Sequence, residues 1–204
     1  MASKTCTGSC LLIPSGRYSF ARHGYRGRHP QRILEAAGRV VIERGAAGLT
    51  LEAVAATAGL SKGGLLYHYA TKEALLTAMV ERLVAVTEQR IAAHRAEDDA
   101  PGSWTRGYVR ACAVDDVPAH DPAGRLGVAL LAAGAINPGL TAGLRARQST
   151  WRARLRDDGI DPLAAQLARL AADGLWLNDI FGLPVLARSE RAAVLERLEA
   201  LTRP

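Results

Sequence analysis

The sequence predicts an all-α protein that combines a small N-terminal three-helix unit with a larger C-terminal helical domain. Apolar residues recur at intervals of three and four along most of the chain, and strand-like alternation persists nowhere. Clusters of Pro, Gly and Asp divide these periodic segments from one another. The composition agrees, because 49% of the 204 residues are hydrophobic and only 5% are aromatic, as in helical units rich in Ala and Leu.

Residues 1–28 form a basic arm ahead of the first periodic segment. They carry Gly, Ser, Arg and His without an apolar period, which predicts a flexible segment. The arm has no acid and holds most of the formal net charge of +6. Two interpretations stay open for it, namely contact with the minor groove or phosphates of nucleic acid and simple solvation.

The three cysteines do not form a disulfide framework. Cys6 and Cys10 lie in the arm, where a metal site shared with His23 would lack a fourth ligand, so no metal is predicted. Cys112 stands alone, and reduced thiols fit a cytoplasmic protein. The apolar run at 10–13 is too short for a signal peptide or a membrane span. We therefore expect a soluble cytoplasmic protein with no cofactor and no membrane partner.

A first helix is predicted from Pro30 to just before Gly45, which marks its stop. Its apolar residues share one face, and its charged residues lie elsewhere. The residues of the apolar face are Ile33, Ala37, Val40 and Val41. This helix is expected to pack behind the two that follow.

Residues 49–76 carry the motif around which the chain is organised. Thr50 offers a hydroxyl that caps a short helix directly after it, and Ser61 caps a second helix that ends near Tyr69. Gly59 between them can adopt the left-handed backbone that ends one helix and turns the chain toward the next. Two short helices joined in this way indicate a helix-turn-helix, whose second helix lies in the DNA major groove.

The start of the second helix is predicted to face base edges or phosphates of double-stranded DNA. Gly63 and Gly64 each cost about 1 kcal/mol relative to Ala inside a helix, so they indicate that the backbone approaches a partner closely. Lys62 is interpreted as a phosphate contact in preference to a solvated lysine. Tyr67 and His68 lie alongside, and contact with DNA explains His68 better than packing alone.

The segment from about residue 32 to residue 76 resembles the DNA-binding domain of TetR-family transcriptional regulators. The resemblance rests on the helix spacing, the turn A-G-L-S and the ending Y-H-Y-x-x-K-E-A-L. Gly64 and Leu66 depart from the family pattern, which commonly has a small hydroxyl residue and a tyrosine at these places.

The resemblance implies a DNA-binding domain at 29–76 in which Lys72, at the start of the next helix, grips a phosphate, as do Thr50 and Tyr67. Motif and resemblance together give the predicted DNA-binding residues as Thr50, Ser61, Lys62, Gly63, Gly64, Tyr67, His68 and Lys72. The predicted partner is double-stranded operator DNA.

The remaining residues, 77–204, are predicted to form a helical domain for ligand binding and dimerisation. A long helix from about Thr71 to Glu97 begins in the DNA-binding domain and is broken at 97–102. Five more helices are predicted at about 103–116, 121–134, 138–157, 161–181 and 187–202. In TetR-family proteins the last two helices pair with those of a second subunit, so the resemblance implies a homodimer.

A candidate effector site in the C-terminal domain is marked by its tryptophans and their neighbours. Trp104, Tyr108 and Cys112 follow one another at four-residue spacing and place an aromatic face toward the interior of the domain. This face, like Trp151 and Trp176, is either plain core or part of the wall of a ligand cavity. For Trp176 the dimer interface is a third alternative.

Asp173 lies next to an apolar helical stretch, where a carboxylate is costly unless it is paired. The preferred interpretation is a partner such as Arg169, four residues earlier on the same helix face. The alternative is a cationic ligand attracted by the carboxylate and by a nearby tryptophan. Asp173 is therefore included among the candidate ligand-binding residues.

The sequence contains no Gly-rich phosphate loop after a strand, no metal-binding pair and no nucleophile elbow, so an enzyme is not predicted. We expect a homodimeric DNA-binding regulator, and specifically a repressor that a small molecule releases from a palindromic operator. Two other functions stay open. One is a ligand-independent DNA-organising protein, and the other, less favoured, is a helical enzyme with a DNA-binding domain.

Overall fold

The computed structural model describes residues 28–112, 122–183 and 185–204, and every regular element in these ranges is helical. The first four helices are α1 (Arg28–Arg44), α2 (Leu51–Ala58), α3 (Lys62–His68) and α4 (Lys72–Arg95). They are followed by α5 (Ser103–Cys112), α6 (Pro122–Ile136), α7 (Ala142–Arg156), α8 (Pro162–Phe181) and α9 (Arg188–Leu201). The predicted all-α fold is confirmed. Outside the described residues lie the predicted arm up to residue 27, the helical stretch predicted at 113–116, and the side chains of Cys6, Cys10 and His23.

Helix α1 packs behind α2 and α3 through the apolar face that the sequence predicts. The buried residues of this face are Ile33, Ala37, Val40 and Val41. Full burial of a Val or Ile side chain stabilises a fold by about 1.5–3 kcal/mol relative to exposure, so this face holds the small domain together. The guanidinium of Arg32 adds a hydrogen bond of 2.7 Å to the carbonyl oxygen of Ala58, at the end of α2.

Three helices of the DNA-binding domain begin after a residue whose hydroxyl caps them. Thr50, Ser61 and Thr71 accept hydrogen bonds of 3.1, 3.1 and 3.0 Å from backbone N–H groups in the first turns of α2, α3 and α4. Gly59 ends α2 with a φ of 64°, which L side chains rarely adopt. The caps and the left-handed glycine therefore fix the turn of the helix-turn-helix, as the sequence predicts.

The core of the DNA-binding domain continues into the C-terminal domain. Its buried cluster includes Val80 from α4, Leu130 from α6 and Leu140 from the turn before α7. Helix α6 also lies against α1, where the side chain of Leu126 is 3.6 Å from the position that a Cβ on Gly38 would take. The predicted DNA-binding and C-terminal regions consequently share packed side chains.

The C-terminal helices lie close to their predicted ranges, with one correction. The third, predicted at 138–157, begins with a separate 3-10 turn at Pro138–Thr141, and α7 starts only at Ala142. The side chain of Asn137 accepts a hydrogen bond of 3.1 Å from the N–H of Gly139. This Asn cap and the following proline hold a tighter turn that apolar periodicity does not reveal.

A buried arginine joins several segments where α4 ends. Arg106 on α5 is 1% exposed and forms a two-point ion pair with Asp98, with distances of 2.6 and 2.9 Å. Its Nη1 donates hydrogen bonds to the carbonyl oxygens of Pro101 at 2.9 Å and Thr202 at 2.6 Å. The hydrogen bonds from Arg106 lower the pKa of Asp98 to about 2. The loop after α4 and the end of α9 thus meet at one side chain.

The loop between α7 and α8 also packs against the start of α5, beside the contacts of the buried arginine. The carboxylate of Asp158 accepts hydrogen bonds from the backbone N–H groups of Trp104 at 3.0 Å and Thr105 at 2.8 Å, and so caps α5. Gly102 has a φ of 82°, and a Cβ at this position would lie 2.0 Å from the carbonyl oxygen of Thr202. This close approach therefore requires glycine at this position.

Helix α8 presents a row of apolar side chains to solvent. Its members, spaced mainly by three and four residues, are Leu163, Leu167, Leu170, Leu177 and Phe181. Large apolar side chains that lie together on one exposed helix face indicate an interaction surface.

In the described part of the chain, no helix is long and apolar enough to cross a membrane.

Candidate DNA-binding surface and effector site

Helix α3 has one buried side and one open side. Leu65 is fully buried and anchors the helix, whereas Tyr67 is 87% exposed. Lys62 and Gly63 are exposed at the start of the helix. A short helix held in this way, with its first turn and one aromatic side chain open to solvent, has the geometry of a recognition helix.

The glycines of α3 are not required by the packing of the described residues. A Cβ on Gly63 would have no heavy atom within 4 Å, and a Cβ on Gly64 would lie 3.3 Å from Oγ of Ser61. Neither glycine has a positive φ. The space beside Gly63 is therefore open to a partner, which fits the predicted close approach to DNA.

Lys62 is held by an ion pair with which DNA would compete. Its Nζ lies 2.6 Å from Oε1 of Glu52 on α2, and both side chains are exposed. The hydrogen bond from Lys62 holds the pKa of Glu52 below its usual range. The lysine is therefore positioned at the start of α3 while its charge is partly neutralised.

Replacing Glu52 with glutamine is expected to strengthen DNA binding at low salt by about two- to tenfold. The change removes a carboxylate beside the open side of α3 and frees the Lys62 ammonium for a phosphate, so the salt slope of the affinity should steepen by about one counterion. Fluorescence anisotropy of a labelled duplex across a salt series measures both quantities. Asp157→Asn, the same carboxylate-to-amide change at an exposed position after α7, is the control. Weaker binding by the Glu52 variant would show instead that the ion pair is needed to position Lys62.

Two further predicted DNA contacts also bind neighbouring elements of the protein. The His68 ring stacks on His29 of α1, with centroids 6.1 Å apart, and meets the Tyr67 ring edge-on at 5.2 Å. Nζ of Lys72 donates a hydrogen bond of 2.9 Å to the carbonyl oxygen of Ala47, in the loop between α1 and α2. The structure thus gives His68 a packing role and ties the start of α4 to the loop ahead of the helix-turn-helix.

Most of the aromatic residues predicted for the effector site form one cluster in the C-terminal core. Tyr108 lies between Trp104 and Trp151, with ring centroids 5.5 and 5.6 Å away. The guanidinium carbon of Arg169, on α8, is 5.3 Å from the centroids of both the Tyr108 and the Trp151 rings. The place over these rings that suits a cationic ligand is therefore filled by a side chain of the protein.

Asp173 is bound from two sides. The Tyr108 hydroxyl donates a hydrogen bond of 2.6 Å to Oδ1, and Nε of Arg169 lies 3.7 Å from Oδ2. The partner expected four residues earlier on the helix is thus present. Burial raises the pKa of the Asp173 carboxyl, although the tyrosine bond and the arginine act in the opposite direction.

Cys112 and Trp176 relate differently to this cluster. Cys112 is buried in the C-terminal core, and burial raises the pKa of its thiol to about 12. Such a thiol stays protonated near neutral pH and behaves as a small apolar side chain. Trp176 is half-buried and faces α6, where its ring lies 3.5 Å from the position of a Cβ on Gly127. Trp176 therefore borders the cluster on the side of α6.

A groove of about 510 Å³ opens between α7 and α8. Its lining includes Arg145 and Arg152 from α7, and Arg169 and Asp173 from α8. This volume lies within the range of small-molecule sites, although the groove is largely open to solvent and most of its lining residues are polar. Sequence reasoning missed Arg145 and Arg152, although their seven-residue spacing places them on one face of α7.

Glu88 links α4 to α7, and sequence reasoning missed it as well. Its carboxylate accepts a hydrogen bond of 3.0 Å from Nε1 of Trp151 and lies 3.5 Å from Arg147 and 3.8 Å from Arg154. These three α7 residues share one helix face, but Glu88 stands in the polar run T-E-Q-R, and the sequence carries no signal that it lies opposite them. The cluster connects Trp151 and two arginines of α7 to the helix that begins at Lys72.

Two family models match this chain. Residues 33–79 match the bacterial regulatory proteins of the tetR family, and residues 102–203 match the tetracyclin repressor-like C-terminal domain. A helix-turn-helix of the observed geometry, joined to this kind of helical domain, defines a DNA-binding transcriptional regulator. The chain belongs to the TetR family of these regulators.

Individual proteins agree with this assignment. The HTH-type transcriptional regulator BetI of Stenotrophomonas maltophilia (strain R551-3) is 28% identical over 156 residues, which are 72% of this chain and 79% of BetI. A TetR-family member from Streptomyces coelicolor A3 has a similar structure, with a TM-score of 0.67, 26% identity and coverage of 87% of this chain and 99% of that one. The multidrug binding protein EbrR complexed with ethidium gives a TM-score of 0.63 at 27% identity, covering 85% of this chain and 98% of EbrR.

Proposed function

We propose that this regulator is a homodimeric repressor that binds a palindromic operator and leaves it when a small molecule binds the C-terminal domain. The observation that carries the proposal is the exposed apolar row of α8, with Leu167 and Leu170 near its centre. Exposing such a row to water is unfavourable, and a second copy of α8 packed against it would bury both rows. A two-fold axis at this place would present two α3 helices to two half-sites of DNA.

Helix α9 supports α8 in the proposed interface. Arg191 on α9 donates hydrogen bonds of 3.0 and 2.8 Å to the two carboxylate oxygens of Asp179 on α8. Leu198 of α9 is buried in the C-terminal core. Because α8 and α9 are already paired within one subunit, two subunits can form a four-helix bundle without refolding.

Regulation by a small molecule is supported by the groove beside the aromatic cluster. It is also supported by the similarity to EbrR, whose structures include complexes with ethidium and with malachite green. A ligand shifts the dimer between two states only by its difference in affinity for them. A path for this shift runs from α7 through Glu88 to α4, whose first residue Lys72 bonds to the loop ahead of α2.

Selection of random duplexes by the purified full-length protein tests the proposal. We expect a palindromic winner bound by a dimer, at least about 10³-fold more tightly than scrambled DNA at the same salt concentration. Lys72→Gln is expected to weaken binding to both duplexes and to lower the salt slope by about one, because it removes one phosphate contact. Arg156→Gln, an exposed change on α7, is the matched control.

Each of the other possible results would contradict one part of the proposal. Failure to enrich any sequence would remove the operator and favour a ligand-independent DNA-organising protein. Binding of one half-site by a monomer would remove the dimer but keep the recognition helix. An unchanged salt slope for Lys72→Gln would show that this lysine serves only its bond to Ala47.

A further inference from the structure

The groove between α7 and α8 has an excess of positive charge. Among the described residues, its lining holds three arginines, namely Arg145, Arg152 and Arg169, and one carboxylate, that of Asp173. Gln148 also lines the groove and accepts a hydrogen bond from Nη2 of Arg169. A groove with more guanidinium than carboxylate groups attracts anions and repels cations.

Arg169 carries an N–H group that lacks an acceptor. The residue is 4% exposed, and its Nε has no hydrogen-bond partner within the described ranges, because Oδ2 of Asp173 lies 3.7 Å away. A buried donor without an acceptor is unfavourable, more so on a charged group. Because Nε itself is enclosed, an anion in the groove would compensate the charge of this guanidinium rather than bond to Nε.

The two arginines of α7 have charges that the described residues do not neutralise. Arg145 donates hydrogen bonds to the Thr141 hydroxyl at 2.8 Å and to the Pro138 carbonyl oxygen at 2.7 Å, which are uncharged acceptors. Arg152 is exposed and has no ion pair or side-chain hydrogen bond to the part of the chain that the structure covers. Both guanidinium groups are therefore available to a ligand.

We propose that the groove binds the anionic group of the effector, a carboxylate or a phosphate, between Arg145, Arg152 and Arg169. This proposal rests on the proposed function, because it names the chemical class of the effector. Planar guanidinium groups bind both oxyanions through paired hydrogen bonds. A cationic ligand is disfavoured, because Arg169 already occupies the place over Tyr108 and Trp151.

Calorimetric titration of the full-length protein with three ligands of similar apolar part tests the charge preference. The probes are 3-phenylpropionate, 2-phenylethyl phosphate and 3-phenylpropylamine, all at the same pH and ionic strength. We expect one or both anions to bind at least about tenfold more tightly than the amine, and the ratio of the two anions distinguishes carboxylate from phosphate. Arg152→Gln should weaken anion binding about tenfold, and Arg156→Gln, which lies outside the groove, should leave it unchanged.

Tighter binding of the amine, absence of binding by both anions at millimolar concentration, or equal effects of the two arginine variants would overturn the proposal. The titrations contain no DNA, so they decide the charge preference whether or not an operator exists. Release of a selected duplex is measured separately. Anion binding without release would keep the groove assignment and remove the regulatory part of the proposed function.

Discussion

Replacing Arg106 with methionine is expected to lower the free energy of unfolding by about 2–4 kcal/mol, because the Asp98 carboxylate left behind is partly exposed to water. Methionine has a similar length but cannot bond to Asp98, Pro101 or Thr202, to which Arg106 donates hydrogen bonds. The substitution leaves the Asp98 carboxylate without its main partner and removes the hydrogen bond that holds the end of α9. Urea unfolding followed by circular dichroism, at one protein concentration, measures the change.

Two further measurements identify the cause of this loss. Arg156→Met, on an exposed position of α7, should change the stability by no more than about 0.5 kcal/mol. The hydrogen bonds from Arg106 lower the pKa of Asp98 from 3.8 to about 2, so this pair stabilises the native state above pH 4 and loses its effect as the pH falls toward 2. The difference in the free energy of unfolding between wild type and Arg106→Met should therefore become smaller as the pH falls from 4 to 2. A difference that does not depend on pH would show that Arg106 acts by packing rather than by its charge.

Replacing Leu167 with aspartate is expected to convert the proposed dimer to a monomer and to weaken binding of the selected duplex at least about 100-fold. Leu167 is 53% exposed in one subunit, so the change should leave each subunit folded. Two facing carboxylates would be buried in the proposed α8 interface, where charge is costly. A monomer can contact one half-site only. Sedimentation analysis and titration of the selected duplex measure the two effects.

Ile136→Asp is the matched control for the Leu167 variant. Ile136 is 88% exposed at the end of α6, so the same apolar-to-acid change there should leave both assembly and DNA affinity intact. If Leu167→Asp remains dimeric, α8 does not form the interface. If it becomes monomeric and keeps full affinity, a single α3 suffices for recognition.

The sequence revealed the parts of the fold that depend on neighbours along the chain. Helical periodicity predicted the buried face of α1, and the hydroxyl residues Thr50 and Ser61 predicted where α2 and α3 begin, because a cap lies within one turn of the groups that it satisfies. The Arg169 partner of Asp173 was found for the same reason, since four residues separate them on one helix.

The parts that sequence reasoning missed depend on contacts between distant segments. Arg106 lies between Trp104 and Tyr108 in the chain, where a basic residue is ordinarily predicted to be exposed to solvent. Besides its bonds to the loop after α4, it bonds to the carbonyl oxygen of Thr202, 96 residues away, which brings the end of α9 over it. The arrangement around Glu88 likewise becomes visible only when α7 is laid against α4. Local spacing carries no direct information about such pairs, because their approach follows from the packing of whole helices.

The DNA-binding and C-terminal regions share one continuous core. A small movement of α4 would therefore change the distance between the two α3 helices of a dimer. Helix α4 has 24 residues and is therefore about 36 Å long. A rigid rod of that length which pivots by about 5° moves its end by about 3 Å, close to the rise of one base pair. Packed side chains would transmit such a movement, since Leu130 and Leu140 lie in the same core as residues of α1 and α4. A displacement of ångström size at the end of α4 inside the C-terminal domain would therefore suffice to change the spacing of the two α3 helices, so that it no longer matches the half-sites.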